Sequence, residues 1–338
     1  MSDISPKERL FRRLSKKGAD RLPVICPGGM MSATLVDILK KTGHSLPEGH
    51  SDSKLMAQIA RDVSEGTGFE NYGAPFCMTV EAEALGSSID FGSLSCEPKI
   101  KEEQYKSVAD INFSFPSPAG LGRVDVIANA IHELSGGDIP VIGSVTGPIS
   151  AAASLVDPMT FLKQLRKDPT NAHRLVDQVT DWLIEYAQIL IESGADVISI
   201  ADPTATGEIL GPKMFKEYAL RYLNKLADAG HKAGRPVIIH ICGKLEAVSD
   251  LAATLHSDAL SADAMVSLKA LKQNHGITTM GNLSTFMLQD STPALIARAT
   301  EALINGGTDI AAPACGLSTS TPQENINAFT SCVKEAGK

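Results

Sequence analysis

The sequence predicts an α/β protein, a (β/α)8 barrel with an insertion after its second strand. Short β-branched runs alternate with longer amphipathic stretches eight times along the 338 residues. The helical stretches begin with a recurrent cap-then-proline code. The length also fits one elaborated barrel, which typically takes about 250 residues before insertions. Strand–helix alternation on this scale puts parallel strands inside a ring of helices.

Eight runs read as buried parallel strands: Leu22–Cys26, Gly68–Tyr72, Pro140–Ser144, Asp196–Ala201, Pro236–Ile241, Ala259–Ala262, Thr278–Gly281 and Asp309–Ala312. Near-continuous apolar runs of this length suit strands covered on both faces. The first helix starts at Ser5-Pro6-Lys7-Glu8, with a Ser cap, Pro at the first helical position and Glu completing a capping box. Thr321-Pro322-Gln323-Glu324 repeats the device, and Asp157-Pro158, Asp168-Pro169 and Thr292-Pro293 each set a cap before Pro. From Gly73 to Gly136 the rhythm breaks: Gly86, Gly92, Pro98, Pro116, Pro118 and Gly120 surround the charged stretch Lys99–Lys106. Residues 73–136 therefore read as an insertion, a lid over the catalytic face, inside one domain spanning 1–338.

Hydrophobic residues make up 43% and charged residues 21%, as in a soluble globular enzyme with an ample core. A net charge of −8 disfavours nucleic acid as a partner, because phosphate binding needs a basic face. No apolar run reaches the roughly 18 residues that span a bilayer. Met1–Lys7 lacks the apolar core of a signal peptide. A cytoplasmic protein without membrane contact is expected. Six cysteines are too sparse for a disulfide framework, so they read as reduced thiols serving a metal or catalysis, or as small buried apolar residues. Dinucleotide and phosphate loops, HExxH and a serine elbow are all missing. No arginine directly follows a strand, which argues against a substrate with many carboxylates.

The chemistry concentrates at strand ends. His240-Ile241-Cys242-Gly243 closes the fifth run, and residues two apart on a strand point the same way. Pro313-Ala314-Cys315-Gly316 follows the eighth run. Parallel barrel strands deliver their C-terminal ends to one face, so Cys315 can meet His240 and Cys242 there. Two thiolates and an imidazole suit zinc with one open position. Two core cysteines beside a hydrogen-bonded histidine fit the spacing equally well. Asp202, Asp263 and Asn282 also follow strands; Asp263 can complete a zinc shell or orient a ligand, and Asp202 can face substrate or support the ligands from behind. Helix capping explains each of the three as well. Thr146-Gly147 and the Ser318–Thr321 stretch precede helices, where exposed N–H groups favour an anion such as the acidic tail of a small substrate, although ordinary helix capping explains both at least as well.

The segments around His240-Ile241-Cys242-Gly243 and Ala312-Pro313-Ala314-Cys315-Gly316 resemble the zinc-ligand motifs of methylcobalamin:coenzyme M methyltransferases, in the uroporphyrinogen decarboxylase-like superfamily of barrels. The likeness extends to Glu192–Pro203, Gly281-Asn282, Phe76–Val80 and Glu83-Ala84-Leu85-Gly86. It implies zinc on His240, Cys242 and Cys315, a carboxylate role for Asp263, and methyl transfer from methylcobalamin on a partner corrinoid protein to a small thiol, coenzyme M first. The loop Cys26–Met31 lacks the arginine of true uroporphyrinogen decarboxylases, which argues against porphyrin decarboxylation. Thr146 stands where the coenzyme M enzymes would carry a glutamate, and Lys244 where a neutral residue is expected. Three other functions remain open at this point: demethylation of a methoxylated or methylamine substrate onto Co(I), methylation of homocysteine, and non-catalytic zinc or corrinoid binding.

Overall fold

Tyr72–Ala74 (β1), Val141–Thr146 (β4), Val197–Ala201 (β5), Val237–Ile241 (β6), Ala259–Ala262 (β7) and Thr279–Met280 (β8) form one parallel sheet in that order. The computed structural model describes residues 4–336; Met1–Asp3, part of the segment read as carrying no leader, lie outside the described residues. Between β1 and β4, Ser88–Asp90 (β2) and Lys99–Glu102 (β3) pair as a separate antiparallel hairpin.

Single contacts close the sheet into a barrel. Met280 bridges Ile310, Ala311 bridges Val24, and Glu70 N–H donates to the Val24 carbonyl at 2.9 Å. The expected first and eighth strands, Leu22–Cys26 and Asp309–Ala312, are thus present in the ring but reduced to bridges. Pro23, Pro27 and Pro313 flank them, and a proline has no N–H for a ladder. The expected second strand is displaced. Gly68 has φ 75° and caps the helix Ser53–Thr67, so extended chain begins only at Tyr72.

Alternation along the strands sorts side chains into barrel interior and helix-facing layers. On β6, Val237, Ile239 and Ile241 pack in the cluster that includes the outer helices. Ile238 packs with Ile142, Val197, Ala259 and Met280. His240, two residues on from Ile238, keeps the inward face. Burying a large apolar side chain in either layer stabilises by about 1.5–3 kcal/mol relative to exposure.

The helix-start code holds at three places. Ser5 Oγ, Asp157 Oδ1 and Asp168 Oδ1 accept from Glu8, Thr160 and Asn171 N–H at 3.2, 2.8 and 3.3 Å. Thr292 makes no side-chain cap bond. The last helix, Gln323–Glu335, starts one residue late; Thr321 Oγ1 donates to Gln289, and Asp37 accepts the Gln323 N–H at 3.1 Å. Among the described residues no helix is long and apolar enough to cross a membrane.

After β1 the chain detours through the helix Val80–Ala84, the β2–β3 hairpin and the helix Val124–Leu134. Thr319 Oγ1 donates to the Ser95 carbonyl at 3.0 Å, which ties the hairpin connection to the loop that follows Cys315.

Candidate metal centre

His240 enters the barrel interior from β6, and Cys242 continues the same period just past the strand. Cys315 arrives from the eighth segment, which is held to the loop after β8 by the Leu283–Pro313 bridge and the Ala314 N–H to Leu283 carbonyl bond of 2.8 Å. The ligand atoms of His240, Cys242 and Cys315 all lie within 4.8 Å of one another. The two sulfurs are 3.5 Å apart, and His240 Nε2 is 3.2 Å from Cys242 Sγ. His240 is buried; both thiols are half-buried.

Ser261 sets the ring. Its Oγ lies 2.9 Å from His240 Nδ1, and β7 places it in register with His240. With the Nδ1 proton donated to Ser261, Nε2 offers its lone pair to the thiol side. The thiols form a coupled pair. Cys315 is held well below the usual thiol range, mainly by the hydrogen bond from Cys242 and further by His240. Cys242 is pushed up, by its bond to Cys315 and then by burial. A soft divalent metal with thiolate and imidazole donors, zinc above all, fits this set.

Asp263 is half-buried beside this group but outside the three-donor cluster. Its Oδ2 accepts from Gly243 N–H at 3.3 Å and its Oδ1 from Met265 N–H at 3.2 Å. Asn282 Nδ2 donates to the Asp263 and Val266 carbonyls at 2.7 and 2.8 Å, so it shapes the loop that carries Asp263. Gly243 has φ 70°, a conformation that glycine adopts without strain and that turns the chain away directly after Cys242.

The remaining candidates are engaged within the protein. Asp202 is fully buried; its carboxylate accepts from Ile149 N–H, Ser150 N–H and Ser150 Oγ at 3.0, 2.9 and 2.6 Å. Burial lifts its pKa to about 6 against these bonds. That carboxylate fills the helix start at which Thr146-Gly147 was expected to hold an anion. A Cβ on Gly147 would lie 2.4 Å from Asp202 Cβ. Thr146 itself is bound to Glu81, whose carboxylate accepts from Thr146 N–H at 2.7 Å and Thr146 Oγ1 at 3.0 Å. Ser318 is exposed and pairs with Ser320 at 2.9 Å, while Asp37 occupies the following helix start. At both expected cradles the protein supplies its own anion.

Three residues that the sequence reading passed over belong to this region. Ser261 orients His240. Met30, in the loop after the first segment, puts its sulfur 4.0 Å from Cys242 Sγ. Glu81 is buried beneath Thr146, and burial raises its pKa. It supplies a carboxylate close to the position where Thr146 had replaced an expected glutamate.

The uroporphyrinogen decarboxylase (URO-D) profile matches residues 5–336. The chain is similar to methylcobamide:CoM methyltransferase MtbA of Methanosarcina acetivorans, 32% identical over 99% of both chains. It is also similar to methylcobamide:CoM methyltransferase MtaA of Methanosarcina barkeri, 30% identical over 99% of both. Among solved structures, a methyltransferase from Methanosarcina mazei superposes with a TM-score of 0.91 at 29% identity, covering 98% of this chain and 99% of that one.

Proposed function

Because the chain belongs to the uroporphyrinogen decarboxylase (URO-D) family, and is similar over its full length to methylcobamide:CoM methyltransferases, we propose that it is a methyltransferase that moves a methyl group from a methylated corrinoid protein to the thiol of coenzyme M. The observation that carries this reading is the convergence of His240, Cys242 and Cys315 within 4.8 Å at the C-terminal end of the barrel. Those three residues would hold zinc. When bound, zinc supplies Lewis acidity that lowers the pKa of an acceptor thiol, so that a thiolate exists at neutral pH.

The chain's own groups prepare the site. Ser261 fixes the imidazole orientation, and the Cys242–Cys315 pair supplies negative charge for a cation. Asp263, tied to Gly243, would offer such an ion a fourth, oxygen donor. The half-buried floor limits water near the thiolate. In the transfer, a C–S bond forms as the Co–C bond breaks. Both electrons of that bond stay on cobalt, giving Co(I), and the thiol proton passes to solvent. The hairpin connection tied to Thr319 supports the reading of residues 73–136 as a cover for this mouth.

The test follows loss of the methyl–cobalt absorbance with methylcobalamin and a thiol panel, with zinc measured on the same sample. About one zinc per chain and turnover on coenzyme M are expected. Turnover on homocysteine alone, or zinc with no turnover on any thiol, would overturn the assignment.

A further inference from the structure

Three large apolar side chains stand exposed on segments that follow barrel strands, Phe286 and Ile209 on short helices and Met265 in a turn, at 81%, 44% and 53%. Side chains of this kind usually pack inward, and an exposed group of them marks a binding surface. Each is tied to the thiol-bearing loops. Met265 N–H and Gly243 N–H, the latter next to Cys242, bind the two oxygens of one carboxylate, Asp263. Phe286 follows Leu283, whose carbonyl accepts from Ala314 N–H, next to Cys315. Ile209 lies on the helix that starts at Gly207, where an added Cβ would come within 3.0 Å of the Lys244 carbonyl, two residues past Cys242.

Resting on the methyl-transfer reading, we propose that Ile209, Met265 and Phe286 are substrate-contact residues that seat the corrin macrocycle of the methyl donor. The thiols are half-buried at the floor of the mouth. A methyl group on cobalt can approach them only if the corrin lies across the opening, face down. The macrocycle is far wider than a thiol, so its periphery rests on whatever rings that opening. A corrin edge carries methyl groups between neutral amide arms. The apolar side chains match the first. Lys244 and Glu208, paired at 4.0 Å on the same rim, can hydrogen-bond the second. A substrate edge that is part methyl and part amide thus finds both kinds of partner.

The experiment uses the zinc-loaded full chain and free methylcobalamin. Equilibrium dialysis without thiol gives the Kd, and turnover gives KM for each substrate. In Phe286→Ala/Met265→Ala, Kd and KM for methylcobalamin should each rise about tenfold or more, as for buried contact residues at an interface. Zinc content, melting temperature and KM for coenzyme M should stay as in the wild type. A wild type that binds and demethylates methylcobalamin, with a double variant that binds it equally well, overturns the corrin seat alone. A wild type that neither binds nor demethylates it overturns both the seat and the methyl-transfer reading.

Discussion

Ser261 Oγ lies 2.9 Å from His240 Nδ1, and the two residues face each other in register on neighbouring strands. Partners of this kind hold a metal-ligating imidazole in one tautomer and one orientation. Ser261→Ala should weaken zinc binding about 10–100-fold in a chelator competition while leaving a cooperative melt. Unchanged zinc affinity would remove the orienting role.

The three donors sit at the mouth of a barrel with its own core, so the metal should be dispensable for folding. Cys242→Ala is expected to lose the roughly one bound zinc per chain and all methyl transfer, while its thermal unfolding stays cooperative. A chain that no longer folds would make the site structural.

His50 is 1% exposed, and among the described residues neither ring nitrogen has a hydrogen-bond partner. Burial, and then the nearby Arg123 charge, lower its pKa from 6.5 to about 4. The unfolded chain therefore takes up a proton that the folded chain refuses, and stability falls as pH drops through that window. The full loss is about 3 kcal/mol, at 1.36 kcal/mol per unit. Urea titrations at pH 7 and pH 4.5 should show most of it in the wild type and less in His50→Leu. Equal pH dependence in both would sink this account.

Asp202 caps a helix start from inside the protein. Asp202→Ala should cost about 1–3 kcal/mol, because two N–H groups and a hydroxyl lose their acceptor. Denaturation measures that loss. At a temperature where the variant is folded, KM for the thiol should be near the wild-type value; a large rise in KM with unchanged stability would support the substrate-facing role.

The sequence carried the strand ends better than the strand lengths. Runs such as Val237–Ile241 announce themselves by β-branching, and the period of two placed His240 and Cys242 together. Prolines reduced the runs around Val24 and Ala311 to bridges, because they remove the donors a ladder needs. The hairpin strand Lys99–Glu102 is mostly exposed and charged, so it gave no apolar alternation to read. Ser261 was hidden in an apolar run, where a serine reads as filler. Glu81 lies inside a short helix, far in sequence from the strand end it serves. Asp202 and Asp37 show how two helix starts that read either as anion sites or as capped ends are filled from within the protein. The local signal for an anion is real, but it cannot say whether the anion comes from outside or from the protein.

The closing contact between Val24 and Ala311 joins the first barrel segment to the last, and Cys315 lies just beyond it. During synthesis, a growing chain therefore holds two of its three donors, His240 and Cys242, long before the third emerges. An ion bound as proposed would have only two of its three protein donors until the last barrel segment is made and docked. Zinc acquisition would then be a late event, one that separates finished molecules from truncated ones.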